Sequence, residues 1–211
     1  MRFDRKYLVV YLLWLVLLGA IVEGLWSGNL NLAIIAFLTL GLMATPFVSQ
    51  RLLSIKLPSS FITAITIFFF ATLFLGEACG FYERFWFWDV LLHAGSAIGL
   101  GLVGTVLILY LIRADKLRTA PVTAAIFAFC FAVTFGVFWE IFEFGIDWFF
   151  HLNMQKSGLV DTMVDLMVNC VGAAIGGAAG SLYLKGKQAG GFAALIAEFI
   201  QHNRRLFGPT R

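Results

Sequence analysis

Six times along the chain, apolar residues run for close to twenty positions or more before a short polar cluster interrupts them. These runs fall at residues 7–26, 30–48, 61–80, 90–112, 122–150 and 162–184. Roughly 20 apolar residues in a helix cross the hydrocarbon of a bilayer, and only a helix or a closed barrel can satisfy its backbone polar groups there. The pattern therefore predicts an all-α polytopic transmembrane helix bundle of six spans over residues 1–188, with the fifth projecting past the membrane. Pro58 and Pro121 stand where helix starts tolerate proline. Beyond Gly190 and Gly191 the run FAALIAEFIQHNRRLF is too short to cross. Residues 189–211 are expected to form a short cytoplasmic amphipathic tail, with Arg204 and Arg205 toward anionic headgroups. The first run follows Arg2, Arg5 and Lys6 as a signal peptide would, but its apolar stretch is too long and no small-residue cleavage site ends it, so a retained anchor is expected.

Composition agrees with the bilayer as solvent: 61% of the 211 residues are hydrophobic, 13% are charged, and mean hydropathy is +0.91. A net charge of +3 spread over many loops points to no nucleic acid partner. It does set an orientation, because Lys and Arg collect in cytoplasmic loops. With the N-terminus inside, 13 of the 15 basic residues fall on the inner side and only Arg84 and Lys156 fall outside, so both termini are expected to be cytoplasmic. Acids run the other way: Asp4, Asp115 and Glu198 lie inside and the other 9 of 12 lie toward the outer side. Topology does not need that asymmetry, so something on the outer side uses it. Cys79, Cys130 and Cys170 lie in apolar runs without metal-ligand spacing and read as packing residues.

The chemistry concentrates in FWEIFEFGIDWFF, residues 138–150, where Glu140, Glu143 and Asp147 share one helical face in an aromatic setting. An ionised carboxylate in a bilayer costs at least ~2.5–3.5 kcal/mol, so that face must look at polar partners or water. Asp89 and His93 in the fourth span, and Asp161, Asp165 and Asn169 in the sixth, make further stripes at four-residue spacing. The three stripes are expected to converge on one cavity near the outer surface, with Glu77 closing it from another side. Gly95 and Gly99, and Gly172, Gly176 and Gly180, supply small-residue seams by which helices approach closely.

Crowded carboxylates cannot all ionise, so some stay protonated or a cation neutralises them. An oxygen-rich set with a single His suits a divalent metal, Mg²⁺, Mn²⁺ or Fe²⁺, and accommodates Zn²⁺. Glu140, Asp161, Asp165 and His93 are the expected ligands, Glu143 or His93 the general base, and Glu77, Asp89, Asp147 and Asn169 further lining residues. The function this suggests is a metal-dependent hydrolase or transferase acting on a lipid-linked headgroup, with membrane lipid as its surroundings. A proton- or cation-coupled transporter and a non-catalytic assembly or sensing protein are the alternatives. Plainer roles exist for single residues: Asp89 and Asp161 as helix N-caps, His93 as a hydrogen-bonded interface residue, and Trp86, Trp88, Trp139 and Trp148 as interface anchors. Ser96 lies one turn from His93, a poor geometry for a nucleophile and its base.

The segments FWDVLLHAGSAIG, WEIFEFGIDWFF and NMQKSGLVDTMVDLMVNCVGAAIGG resemble a family of bacterial and archaeal polytopic membrane proteins typified by YjdF. The order D-x3-H, E, then D-x3-N-x2-G is similar, more loosely, to the VanZ-like family associated with glycopeptide resistance. The resemblance implies a multi-pass protein of the cytoplasmic (inner) membrane and marks Asp89, His93, Glu140, Glu143, Asp147, Asp161, Asp165 and Asn169.

Overall fold

A computed structural model describes residues 5–187 and 190–208. Arg2, Asp4 and Arg211, which enter the charge balance, and the expected boundary at residues 188 and 189 lie outside the described residues. Among the described residues the secondary structure is helical throughout. The helices are α1 (Leu8–Ser27), α2 (Leu30–Leu52), α3 (Ser59–Phe69), α4 (Phe81–Arg84), α5 (Trp88–Arg113), α6 (Pro121–Phe150), α7 (Leu159–Leu184), α8 (Gly191–His202) and α9 (Arg204–Phe207). A 3-10 turn, Arg5–Tyr7, leads into α1, and a π-helical segment, Phe70–Ala78, continues α3. Six helical stretches are long and apolar enough to cross a membrane: Arg5–Ser27, Leu30–Leu52, Ser59–Ala78, Trp88–Arg113, Pro121–Phe150 and Leu159–Leu184. Their ends depart from the predicted runs by about one turn.

Two compact units divide the chain, Met1–Trp88 and Asp89–Arg211. In the first, α1 and α2 form a tight hairpin. Gly28 takes the left-handed conformation (φ 76°) and the Asn29 side chain accepts the Leu32 N–H at 3.1 Å to start α2. Leu17, Ala36, Met43 and Phe74 form the buried centre of this unit. The π segment shifts the backbone by one residue, as the Cys79 N–H to Phe74 carbonyl bond of 3.0 Å shows, and Trp88 Nε1 donates to the Ala71 carbonyl at 3.3 Å. Gly76 lies flat against the Tyr82 ring, where a Cβ would overlap it. Glu77 belongs to this segment and is exposed within the unit.

The second unit is built on α5, α6 and α7. Gly172 approaches Ala94 and Ala97, Gly176 approaches Ile98 and Gly101, and Gly180 approaches Thr105, so α5 and α7 run parallel in backbone contact. Gly177 meets the Ala125 carbonyl and Gly136 meets Asn169, so α6 runs antiparallel to α7. Each helix turns one small-residue row inward: His93, Ala97, Gly101 and Thr105 in α5; Ala124, Ala128, Ala132, Gly136 and Glu140 in α6; Asp165, Asn169, Gly172, Gly176 and Gly180 in α7. The opposite faces, with Ile126, Phe138, Ile141, Met167 and Val171, are exposed and apolar, as lipid requires. The α7 seam follows the expected glycines, but the α5 seam does not. Gly95 and Gly99 face open space, and Gly101 and Gly104 take the contacts, because these two share the inward face of α5 with buried His93.

The tail forms α8 and α9. Ala193, Ile196, Phe199 and Ile200 of α8 are buried, and the Phe207 ring meets Tyr110 of α5 and Phe199 edge-on. Its apolar face is thus occupied by the unit's own helices, while Arg204 and Arg205 stay exposed.

A Cβ on Gly176 would lie 2.7 Å from the Ile98 carbonyl oxygen and 2.8 Å from Gly101 Cα, both backbone atoms that cannot yield, whereas one on Gly99 meets nothing within 4 Å. Gly176→Val should cost about 1–3 kcal/mol and visibly lower the melting temperature in detergent. Gly99→Ala should leave it unchanged or slightly raised. Equal melting temperatures for the two variants would contradict the seam.

Candidate functional site

The inward rows of α5, α6 and α7 all end in polar residues at the same end of the second unit. His93 sits at the centre, 7% exposed, with Glu140 at 3% and Asp165 at 2%. Its Nε2 faces Asp89 Oδ1 at 3.6 Å, one turn earlier on α5, and Asp165 Oδ2 of α7 at 3.9 Å. Its Nδ1 faces Glu140 Oε1 of α6 at 3.9 Å. These separations exceed a hydrogen bond. Asp89, His93 and Asp165 each offer a donor atom, all within 4.8 Å of one another. Ligands held ~2.0–2.3 Å from a common ion lie about 3 to 4.5 Å apart, so the spacing fits donors around a cation.

The expected residues separate into groups. The structure brings Asp89, His93 and Asp165 into one close set, with Asp161 outside it; the Asp89–His93 spacing on α5 puts both side chains on the inward row. Asp161 is half-buried one turn outward, within electrostatic reach of Asp89, His93 and Lys156. Whereas Asp89 and Asp165 lie on the Nε2 side of the imidazole, Glu140 lies on the Nδ1 side. Both its oxygens are buried and, among the described residues, lack a hydrogen bond; the Thr162 hydroxyl lies toward it without meeting hydrogen-bond geometry. One turn deeper, Asn169 is buried with Nδ2 likewise unpartnered, against Gly136.

Glu143 is half-buried and accepts a 2.9 Å hydrogen bond from Trp139 Nε1, while remaining within electrostatic reach of Glu140, Asp89 and Asp165. Asp147 serves the α6–α7 connection: its two oxygens accept the Met154 N–H at 2.7 Å and the Gln155 N–H at 2.9 Å. Glu77 lies in the first unit. Ser96 spends its hydroxyl on the His93 carbonyl at 2.9 Å, as its helix position suggests. Sequence reasoning passed over Lys156, whose Nζ lies 3.7 Å from Asp89 Oδ2. Its signal was present, as one of two basic residues on the acid-rich side, but it was counted only toward orientation.

A buried carboxylate with neither oxygen bonded is a stability liability that an apolar side chain of similar volume removes. Glu140→Met should therefore raise the melting temperature in detergent, by an amount equivalent to roughly 1–3 kcal/mol. A fall of that size would mean that Glu140 is a satisfied structural residue.

The family match carries the same reading of the chain as a membrane protein. Residues 8–186 match a family described as predicted membrane protein (DUF2238). An uncharacterized protein of Thermotoga maritima is 28% identical over 133 residues, covering 61% of this chain and 65% of that protein. No solved structure matches. With nearly the whole described helical region matched, the chain belongs to the DUF2238 family of membrane proteins.

Proposed function

We propose that the α5–α6–α7 site holds a divalent cation on Asp89, His93 and Asp165 and works as a hydrolase or transferase on a lipid-linked phosphate headgroup at the outer face of the cytoplasmic membrane. The observation that carries this is the close set of two carboxylates and an imidazole, with buried Glu140 behind the ring. Three protein ligands leave coordination positions for water and for a substrate oxygen. A cation held by these residues would supply activation of water and polarisation of the phosphoryl group. Glu140, 3.9 Å from Nδ1, would orient the ring, leaving Nε2 on the side of Asp89 and Asp165 to bind the ion. With His93 committed to binding, Glu143, within electrostatic reach of Asp89 and Asp165, is our choice for the carboxylate that takes a proton from water. The donor set suits Mg²⁺, Mn²⁺ or Fe²⁺ and accommodates Zn²⁺.

Depth and charge support the outer face. Asp89 and Asp161 lie in the first turns of α5 and α7, and the basic residues 113–118 and 185–187 lie at the other ends of these spans. The finer resemblances belong to the same proposal: the residues shared with the YjdF and VanZ-like patterns include Asp89, His93, Glu140, Asp165 and Asn169, which line this site. A transport path fits less well. Below Asn169 the α5–α7 seam closes to backbone contact at Gly172, Gly176 and Gly180, leaving no width there for a file of water.

Metal analysis of purified protein tests the proposal. Wild type should carry or take up about one equivalent of divalent ion, His93→Ala and Asp165→Asn should lose it, and Glu140→Gln should bind roughly 10–100-fold more weakly. Wild type that takes up none, or a His93→Ala variant that binds as wild type does, removes it.

A further inference from the structure

The α6–α7 connection is built to hold one lysine over this site. His151 ends α6 in the left-handed conformation (φ 54°), and Asp147, one turn back, fastens Met154 and Gln155 by their backbone N–H groups. The Gln155 side chain donates to Thr162 Oγ1 at 2.7 Å, tying the turn to α7, and the Gly158 N–H closes on the Gln155 carbonyl. Between these anchors stands Lys156, its ammonium 3.7 Å from Asp89 and its side chain 33% exposed. An ion pair this open contributes little to stability, so the fixed turn is more than the pair itself requires.

We propose that Lys156 is the phosphate-recognition residue of the site: it pairs with Asp89 while the ion is absent and turns to the substrate's phosphate once the ion occupies Asp89, His93 and Asp165. The inference rests on the cation reading above and adds how the substrate is recognised. Asp89 is shared, since Oδ1 faces His93 and Oδ2 faces Lys156. A divalent ion drawing on that carboxylate weakens its hold on the ammonium and leaves a positive charge beside an ion with open positions. An anion with several oxygens can bridge both, and an ammonium on a flexible stem is suited to phosphate. The evidence that this acidic group is made for a ligand is independent of the turn: Glu140, 97% buried, brings Oε1 to 3.9 Å from His93 Nδ1, and among the described residues neither of its oxygens has a hydrogen bond. Room for the rest of a headgroup adjoins the turn, in an open cavity of about 500 Å³ lined by Phe144, Asp147, Trp148, His151 and Gln155.

The full chain in phosphatidylcholine nanodiscs tests this with Mn²⁺ kept below the protein concentration. Electron paramagnetic resonance reads bound Mn²⁺, and paramagnetic broadening of ³¹P signals reads phosphate beside it. Lys156→Met should bind Mn²⁺ roughly three- to tenfold more tightly than wild type, because a competitor for Asp89 is gone, yet lose protein-dependent broadening of phosphate by a similar factor. Lys156→Arg, which keeps the charge, should restore both values toward wild type. Broadening of phosphatidic acid doped into the disc identifies a lipid headgroup, and broadening of added inorganic phosphate a soluble anion; either supports the assignment. Mn²⁺ affinity and broadening unchanged in Lys156→Met overturn the lysine's role while leaving the cation site standing. Failure of wild type to bind Mn²⁺ overturns the cation site and this exchange together.

Discussion

Backbone contact along the glycine rows of α5 and α7 is the constraint on which the second unit depends. In lipid no hydrophobic drive holds helices together, so they must gain by close packing. Gly172, Gly176 and Gly180 remove the side chains that would keep α7 from Ala94, Ala97, Ile98, Gly101 and Thr105. The same rows continue outward into Asp89 and His93, Glu140, and Asp165 with Asn169. A small residue every fourth position and a charged residue at the next such position therefore follow from one helical period. Packing that brings the seams together also brings these acids around one imidazole.

The arrangement is closed inward and open outward. Glu140, Asp165 and Asn169 are nearly inaccessible, while Asp89, Asp161 and Glu143 are half-buried and Lys156 in the α6–α7 turn is exposed. Burial of polar groups without hydrogen bonds lowers stability and persists where a function requires it. The imidazole divides the site into two sides, with Asp89 and Asp165 on its Nε2 side and Glu140 on its Nδ1 side. Asp147, by fastening the turn, shapes the mouth of the site rather than its floor.

Much of the fold was legible in the sequence because hydrocarbon imposes length and polarity so strictly. The six helices and the inward face of α7 follow from apolar runs and glycine spacing. Less was legible wherever a partner decides which face turns inward. Gly95 and Gly99 have the same four-residue spacing as a true seam, yet only Gly101 and Gly104 meet neighbours. Conversely, the row Ala124, Ala128, Ala132, Gly136, which carries Glu140 into the interior, was present in the sequence and went unread. In the site, helical spacing identified the stripes but not their register against one another, so it did not show that Asp89, rather than Asp161, lies within the close set around His93 and Asp165, with Glu140 on the Nδ1 side of the ring. Asp147 shares the face of Glu140 and Glu143 by spacing, but the following turn claims its oxygens, a matter of loop geometry that periodicity does not carry. The π segment of the third span leaves no mark in hydropathy.

The central claim is spatial: side chains from α5 and α7 meet about one point with Glu140 of α6 behind His93. Anomalous diffraction from crystals of the full chain grown with Mn²⁺ measures it directly. The account predicts a single strong peak in the second unit, ~2.0–2.4 Å from an oxygen of Asp89, an oxygen of Asp165 and Nε2 of His93, with Glu140 on Nδ1 and outside the coordination sphere. A peak ligated by other residues, or these three donors well resolved with no anomalous density between them, would contradict it.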